Sequence, residues 1–458
     1  MQNQTNRSAL LQRVFWRLHF WAGLITAPIV LFAAISGLLY VFTPQVEAWR
    51  HAQLDTVDAI APAKSLDEQI AAARAQFPGE PIRAVIPAYT DTQTTQIIFG
   101  DKKKRSVQAG QAEKNSMTVA PSAEHQHHAE ASTQTTPFIA YINPGTLKVQ
   151  GSIAEDGRFR EWARKLHSTM LQGDNWRWII ELGASWMIIM LMTGIYLWWP
   201  RGKSNWSSIL RWNSTQNRRA NWRYLHSMIS LILSIVTLVI MLTGITWSKY
   251  AGENFRTMQS TLGQSSPKPP KELKSSLLPN LPALSAQVVY VKARQLAPSV
   301  QMQLTPPKSE QGVWRIENYD RSQPEKRFQL VLDAYTGAVL YQSGWGNLPL
   351  LAQATAVGIP FHRGEFGWWN QVLLILVGLS VIFAVISGYA MWLQRRKAGS
   401  VSAPAVSTTH ALAIPWWIWL LLIALGFALP VLGVSLFIFI CVEAVLMFKQ
   451  IKSTTQPK

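Results

Sequence analysis

Hydrophobic residues in this chain run in long blocks rather than alternating. Four blocks, roughly 20–42, 178–199, 224–247 and 369–393, are almost wholly apolar. A helix rising about 1.5 Å per residue needs about 20 such residues to cross a bilayer core of about 30 Å, so each block predicts a membrane span. A fifth apolar region, 413–448, is too long for one crossing. Gly426, Pro430 and Gly433 interrupt it, which predicts a helical hairpin or two short spans.

The stretches between these blocks carry other periods. Ser65-Leu66-Asp67-Glu68 has the form of a capping box and predicts a helix to about Gln76. Residues 82–86, 96–100, 138–142 and 147–151 read as strands, with Asn143-Pro144-Gly145 as a hairpin turn. Later, 285–296 reads as a helix and 314–316, 328–332 and 338–341 as strands, with Ala334-Tyr335-Thr336-Gly337 as a turn. The pattern predicts two small α+β modules. Residues 251–282 read as a Pro/Ser/Lys-rich linker. Residues 101–136 break the pattern with Lys102-Lys103-Lys104-Arg105 and a low-complexity tract containing His125, His127 and His128. This tract reads as an exposed insertion, with metal capture by the histidines as the rival reading.

Histidines punctuate the apolar blocks in a repeating way. Arg17-Leu18-His19 opens the first span and Arg223-Tyr224-Leu225-His226 opens the third. His19 to Gly37 and His226 to Gly244 are both 18 residues (37 − 19 and 244 − 226), with Ser36 and Thr243 before the glycines. Leu166-His167 precedes the second span and Phe361-His362 the fourth. Those spans end in Thr193-Gly194-Ile195-Tyr196-Leu197-Trp198-Trp199 and Ser387-Gly388-Tyr389-Ala390-Met391-Trp392. The expected architecture is an α-helical integral membrane protein with an internal duplication. Its parts are a start and first span at 1–44, a module at 45–165, a histidine-bearing segment and span at 166–199 and a basic loop at 200–222. A span at 223–248, a module at 249–360, a histidine-bearing segment and span at 361–393, a linker at 394–412, the hairpin at 413–448 and a tail at 449–458 complete it.

The chain's net charge of +18 would suit nucleic acid, but the charges sit elsewhere. Segment 200–223 holds Arg201, Lys203, Arg211, Arg218, Arg219 and Arg223 and no acid; Arg7, Arg13 and Arg17 precede the first span, and Arg395-Arg396-Lys397 follow the fourth. The positive-inside rule places all of these, with both termini, in the cytoplasm, and both modules outside. Cys441 is the single cysteine, which excludes disulfides within the chain, cysteine-ligated iron–sulfur clusters and thioether haem attachment. A metal cofactor would need histidine or oxygen ligands. No glycine-rich nucleotide fingerprint follows a strand, so electrons, if handled, come from another protein or molecule.

The Leu-His with a following Trp-Ala-Gly-Leu, the Thr-Gly-Ile-Tyr-Leu-Trp-Trp-Pro-Arg at 193–201 and the Tyr-Thr-Gly at 335–337 resemble PepSY-associated transmembrane proteins over roughly residues 10–397. That family includes iron-regulated bacterial inner-membrane proteins and di-haem ferrisiderophore reductases. The resemblance implies two b-type haems and a link to iron. Equivalent histidines of parallel repeats face one another across an axis along the membrane normal, which would pair His19 with His226 as axial ligands on the inner side and His167 with His362 on the outer. Arg17 and Arg223, with Arg13 and Arg219, would serve the inner propionates. Arg164 and Arg363, with Lys165 and Arg177, would serve the outer ones. The rival reading of any one histidine is a hydrogen bond to a neighbouring helix, and of any one arginine a snorkelling interfacial charge. The implied activity is electron transfer from an unidentified donor to a periplasmic ferric siderophore or other ferric chelate. The alternative is a membrane-anchored binding or regulatory protein without redox activity.

Overall fold

The computed structural model describes residues 2–58, 62–100, 136–200, 217–277, 281–404 and 414–455. The expected insertion at 101–136 and basic loop at 200–222 lie largely outside the described residues, as does part of the 394–412 linker. The chain forms two compact units. One comprises Met1–Phe42, Ala163–Ser265 and Pro349–Lys458; the other comprises Thr43–Trp162 and Ser266–Leu348.

The first unit is helical and holds the apolar blocks. Among the described residues three helices are long and apolar enough to cross a membrane, within Gln2–Val41, Asp174–Trp198 and Trp368–Arg395. Pro28 lies inside the first without breaking it. The third expected span is instead two helices, Arg218–Ile232 and Ser234–Ile245, bent by 59°. No proline causes the bend. Leu233 sits at φ −98° and ψ 3°, and the Ser234 hydroxyl donates to the Leu231 carbonyl at 2.7 Å. A side chain competing for the backbone ladder is a standard source of a kink. Counted as one, the pair makes four candidate spans.

All four contribute to one buried apolar cluster: Val30 and Val41 from the first, Met187 from the second, Ile240 from the third, and Leu374, Val377 and Val381 from the fourth. Backbones approach closely where glycine allows it. A Cβ on Gly183 would stand 2.8 Å from Ile29, and one on Gly378 2.7 Å from Leu38. The fifth apolar region is a hairpin of Trp416–Ala428 and Pro430–Thr455, as expected. Gly426 and Gly433 meet at its turn, where a Cβ on Gly433 would lie 2.6 Å from the Gly426 carbonyl oxygen. Leu432 and Leu436 pack on Ala22, Trp186 and Ile189 of the first two spans, and the Trp186 indole donates to the Ser435 hydroxyl at 2.9 Å.

Residues 250–261, expected as linker at all but the first position, form a helix instead. Its N-terminal amides at Tyr250 and Ala251 donate to the Glu181 carboxylate, each at 2.9 Å. Glu181 is buried, so a helix end and an acid inside the bundle satisfy one another.

The second unit is a single eight-stranded antiparallel sheet in the order β4-β3-β2-β1-β5-β6-β7-β8. Strands β1 to β4 are Ile82–Ile86, Thr95–Phe99, Phe138–Ile142 and Val149–Ala154; β5 to β8 are Met302–Thr305, Val313–Asn318, Phe328–Asp333 and Val339–Gly344. The two modules read from the sequence therefore share one sheet, joined where Val85 of β1 pairs with Leu304 of β5. Helices Leu66–Gln76 and Ala286–Leu296 bury Leu66, Ala73, Val289 and Ala293 against it. The first carries the expected capping box, with Ser65 and Glu68 bonded reciprocally. On the first half, Arg158 bridges Glu47 at 3.0 Å, Asp55 at 2.6 Å and the Tyr141 hydroxyl at 3.0 Å. Burial pushes the Tyr141 phenol up to about 12 against the pull of the Arg158 charge.

The two turns have the same chemistry. Asn143 Oδ1 accepts from the amides of Gly145 and Thr146, both at 3.0 Å. Asp333 Oδ1 accepts from Tyr335 at 2.9 Å and Thr336 at 3.0 Å. Burial alone would raise the Asp333 carboxyl, but amide donors from Ser276, Thr336 and Tyr335 outweigh it and hold it at about 2. Four residues past each acceptor the chain turns left-handed, at Gly337 with φ 66° and at Leu147 with φ 64°. A side chain there costs roughly 1–2 kcal/mol that glycine avoids. Leu147→Gly is therefore expected to raise the stability of the sheet unit by about 1 kcal/mol and Gly337→Leu to lower it, read as opposite shifts in thermal unfolding followed by circular dichroism.

Candidate functional site

The four histidines share one local device. His19 Nδ1 lies 3.0 Å from the Thr193 hydroxyl, His167 Nδ1 3.1 Å from Ser36, His226 Nδ1 2.8 Å from Ser387 and His362 Nδ1 3.3 Å from Thr243. Each hydroxyl is itself a donor to the carbonyl four residues back: Ser36 to Phe32 at 2.8 Å, Thr193 to Ile189 at 2.7 Å, Thr243 to Val239 at 2.9 Å and Ser387 to Phe383 at 2.7 Å. With its proton so committed, the hydroxyl oxygen accepts from the imidazole. His362 has a second acceptor: its Nδ1 is also 2.9 Å from the Ile240 carbonyl, three residues before Thr243. The hydroxyl acceptor at each Nδ1 places the proton there in all four rings. Nε2 is left as a bare lone pair in each.

The residue after each hydroxyl is glycine, and at three of the four the imidazole lies against it. A Cβ on Gly37 would stand 3.4 Å from His167 Cε1, one on Gly194 3.4 Å from His19 Cε1, and one on Gly244 2.8 Å from His362 Cε1. At Gly388 nothing lies within 4 Å. The Ser/Thr-Gly steps, legible in the sequence only as markers of a repeat, thus seat the histidine of a different helix. The first two histidine-bearing segments hold one another: the first span seats His167 while the second seats His19. The later two do the same with His226 and His362.

Between these couples the rings meet in pairs. His19 and His226 have centroids 6.5 Å apart with planes at 90°, and His167 and His362 have centroids 6.4 Å apart at 49°. The pairing is the one expected from the sequence. A cavity of about 940 Å³ surrounds the first pair, lined on its apolar walls by Phe20, Met187, Met190, Trp198, Tyr389 and Trp392 among others. Arg13, Arg219, Arg223 and Arg395 line it as well, and among the described residues no acidic one does. Among the described residues no group of three or more His, Cys, Asp or Glu side chains converges.

The arginines expected at the site divide. Arg223 is at the cavity. Arg17 is not among its lining residues: its guanidinium bonds Glu443 of the hairpin at 2.9 and 2.8 Å and the Pro404 carbonyl. An acid 426 residues away in sequence claims it, which its position two residues before His19 gives no means of foreseeing. Arg363 is held by the Tyr40 hydroxyl at 2.9 Å and by Glu365 at 2.7 Å. Arg164 lies three residues before His167 on helix Phe159–Thr169. Arg177 bonds the Trp247 carbonyl. Arg395 was read only as one of three charges after the fourth span, and its place in the cavity had no sequence signal.

The glycine contacts give opposite expectations for two equivalent substitutions. Gly244→Ala drives a methyl into His362 and should destabilise the helical unit by about 1–3 kcal/mol. Gly388→Ala meets nothing and should be neutral or stabilise by up to about 1 kcal/mol through helix propensity. Thermal unfolding in detergent, followed by circular dichroism, distinguishes the two.

No curated protein matches the chain at a significant level. The PepSY-associated TM region matches residues 16–395, which include all four histidines, all four hydroxyls and every cavity arginine except Arg13. This chain is a member of the PepSY-associated transmembrane family.

Proposed function

We propose that the protein is a bacterial inner-membrane electron-transfer protein that holds two b-type haems and reduces a ferric chelate, a ferrisiderophore above all, on the periplasmic side. The observation that carries this reading is the pair of imidazole couples with Nε2 free. Two imidazoles bound to one metal through Nε2, at about 2.0–2.1 Å each, would have ring centres up to about 6.4 Å apart. The measured separations of 6.5 and 6.4 Å suit that arrangement. Two histidines alone leave a metal under-coordinated, whereas the four ring nitrogens of a porphyrin complete its sphere. His19 and His226 would hold one haem, His167 and His362 the other.

Each haem would supply a one-electron ferric/ferrous couple. The chain's own part is to fix the ligands and exclude water. Thr193, Ser387, Ser36 and Thr243 hold Nδ1–H, which orients Nε2 and strengthens the imidazole as a donor. Apolar side chains around the inner pair keep the site dry. One electron delivered to the chelate converts its iron(III) to iron(II), which the hard oxygen donors of a siderophore hold poorly, so the metal leaves without any bond to the ligand being cleaved. The charge pattern supports cytoplasmic termini and a periplasmic sheet unit, and the matching seats in the two halves support an internal duplication.

Spectra test the reading. His19→Ala and His226→Ala should remove the same haem, with the double variant losing no more than either single one, because two ligands of one iron do not act additively. His167→Ala and His362→Ala should behave likewise for the other. Haem per protein is measured by pyridine haemochrome. A folded but colourless protein from haem-replete cells would refute the proposal and favour the binding or regulatory reading. The topology has its own check: reporters fused at residues 120 and 300 should be active only as periplasmic fusions, and cytoplasmic activity at either would overturn it.

A further inference from the structure

The inner cavity collects positive charge. Among the described residues four arginines line it and no carboxylate does. Arg395 is one of them. Its guanidinium stacks over the Trp16 ring at 5.0 Å and the Phe20 ring at 4.9 Å. Trp16 and Phe20 are one turn apart on the first span, and both line the cavity with His19. Its Nη2 is shielded from solvent and makes no hydrogen bond among the described residues. A cationic nitrogen shielded from water without a hydrogen-bond partner is costly, and two aromatic faces offset only part of that cost. Arg395 itself lines the cavity.

We infer that Arg395 is the carboxylate anchor of the inner site: it binds a propionate of the macrocycle that His19 and His226 hold. This rests on the haem reading above. A planar guanidinium engages a carboxylate through two parallel bonds, which a lysine cannot reproduce. Arg17, nearer to His19 in sequence, is excluded from the role because Glu443 and the Pro404 carbonyl occupy it. Arg219 and Arg223 add field to the same mouth of the cavity. Arg396, the next residue, is exposed and stacks on Trp392 at 5.3 Å; it supplies a control of equal charge outside the cavity.

The test varies the ligand and the arginine together. The full chain is prepared in detergent from haem-starved cells in a His167→Ala background, so that only the inner pair can bind. Iron protoporphyrin IX and its dimethyl ester are added separately. Binding is read from the Soret band, and loss from transfer to excess apomyoglobin. The unsubstituted Arg395 protein should lose the diacid at least about tenfold more slowly than the diester, the scale of a charge-assisted hydrogen bond. Arg395→Gln should lose the diacid about tenfold faster while the diester is unaffected. Arg395→Lys should fall between, and Arg396→Gln should match the parent. Should Arg395→Gln fail to fold, the parent's preference for diacid over diester and the Arg395→Lys rates still decide the matter. An undiminished preference in Arg395→Gln or Arg395→Lys overturns the assignment while leaving the haem reading intact. A parent protein that takes up neither porphyrin overturns both.

Discussion

The hydrogen bond from each imidazole Nδ1 to a Ser or Thr hydroxyl is the contact on which the helical unit is arranged. Inside a bundle of apolar side chains a histidine has few partners, and an unpaired ring nitrogen is expensive. The hydroxyl resolves the difficulty because a helix lets it donate to a carbonyl one turn back while its lone pairs point outward. Each of the four hydroxyls thereby becomes an acceptor, and each histidine is oriented by a helix other than its own. At three of the four seats the glycine that follows removes a Cβ that would crowd the ring, most tightly at Gly244, where it would stand 2.8 Å from His362. Sequence spacing, helix packing and ring tautomer are in this way one constraint.

That constraint also decides where charge can sit. Arg17 enters the bundle beside His19, yet the hairpin offers Glu443 at 2.8 Å, and the two neutralise one another. Removing either partner of such a pair typically costs 3–5 kcal/mol, so the hairpin is tied to the first span by charge as well as by Leu432, Leu436 and the Trp186–Ser435 bond. Glu181 is silenced by the same logic, through the helix end it caps. With both acids engaged, the cavity keeps an excess of arginine.

Much of this was legible in the sequence. Runs of apolar residues gave the spans, Ser65 and Glu68 gave a helix start, and the register of His19 with His226 and of His167 with His362 gave the pairs. What escaped has a physical reason in each case. Strand β5, Met302–Thr305, is four residues long and pairs with a strand more than 200 residues earlier, so neither its length nor its neighbours announced it. Helix Tyr250–Thr261 depends on Glu181 for its N-terminal partner, a contact set by packing. Arg17 is taken by Glu443 while Arg395 lines the cavity, because proximity along the chain is a weak guide to what a long, flexible cation reaches.

The third span shows why equivalent sequence patterns need not give equivalent shapes. The first span carries Pro28 and runs on unbroken, while the third carries none and bends by 59°. Proline removes one ladder bond, but neighbouring helices hold the first span on both sides, against the second and fourth. The third lies against the fourth by its N-terminal half and against the second by its C-terminal half. A helix whose two halves pack on different partners is free to break between them, and the Ser234 hydroxyl supplies the competing bond at that point. Ser230, Leu231, Ser234 and Thr237, on either side of the break, all line the cavity at the inner histidines. The bend therefore falls in the wall of the inner cavity, between the half that bears His226 and the half whose Thr243 seats His362.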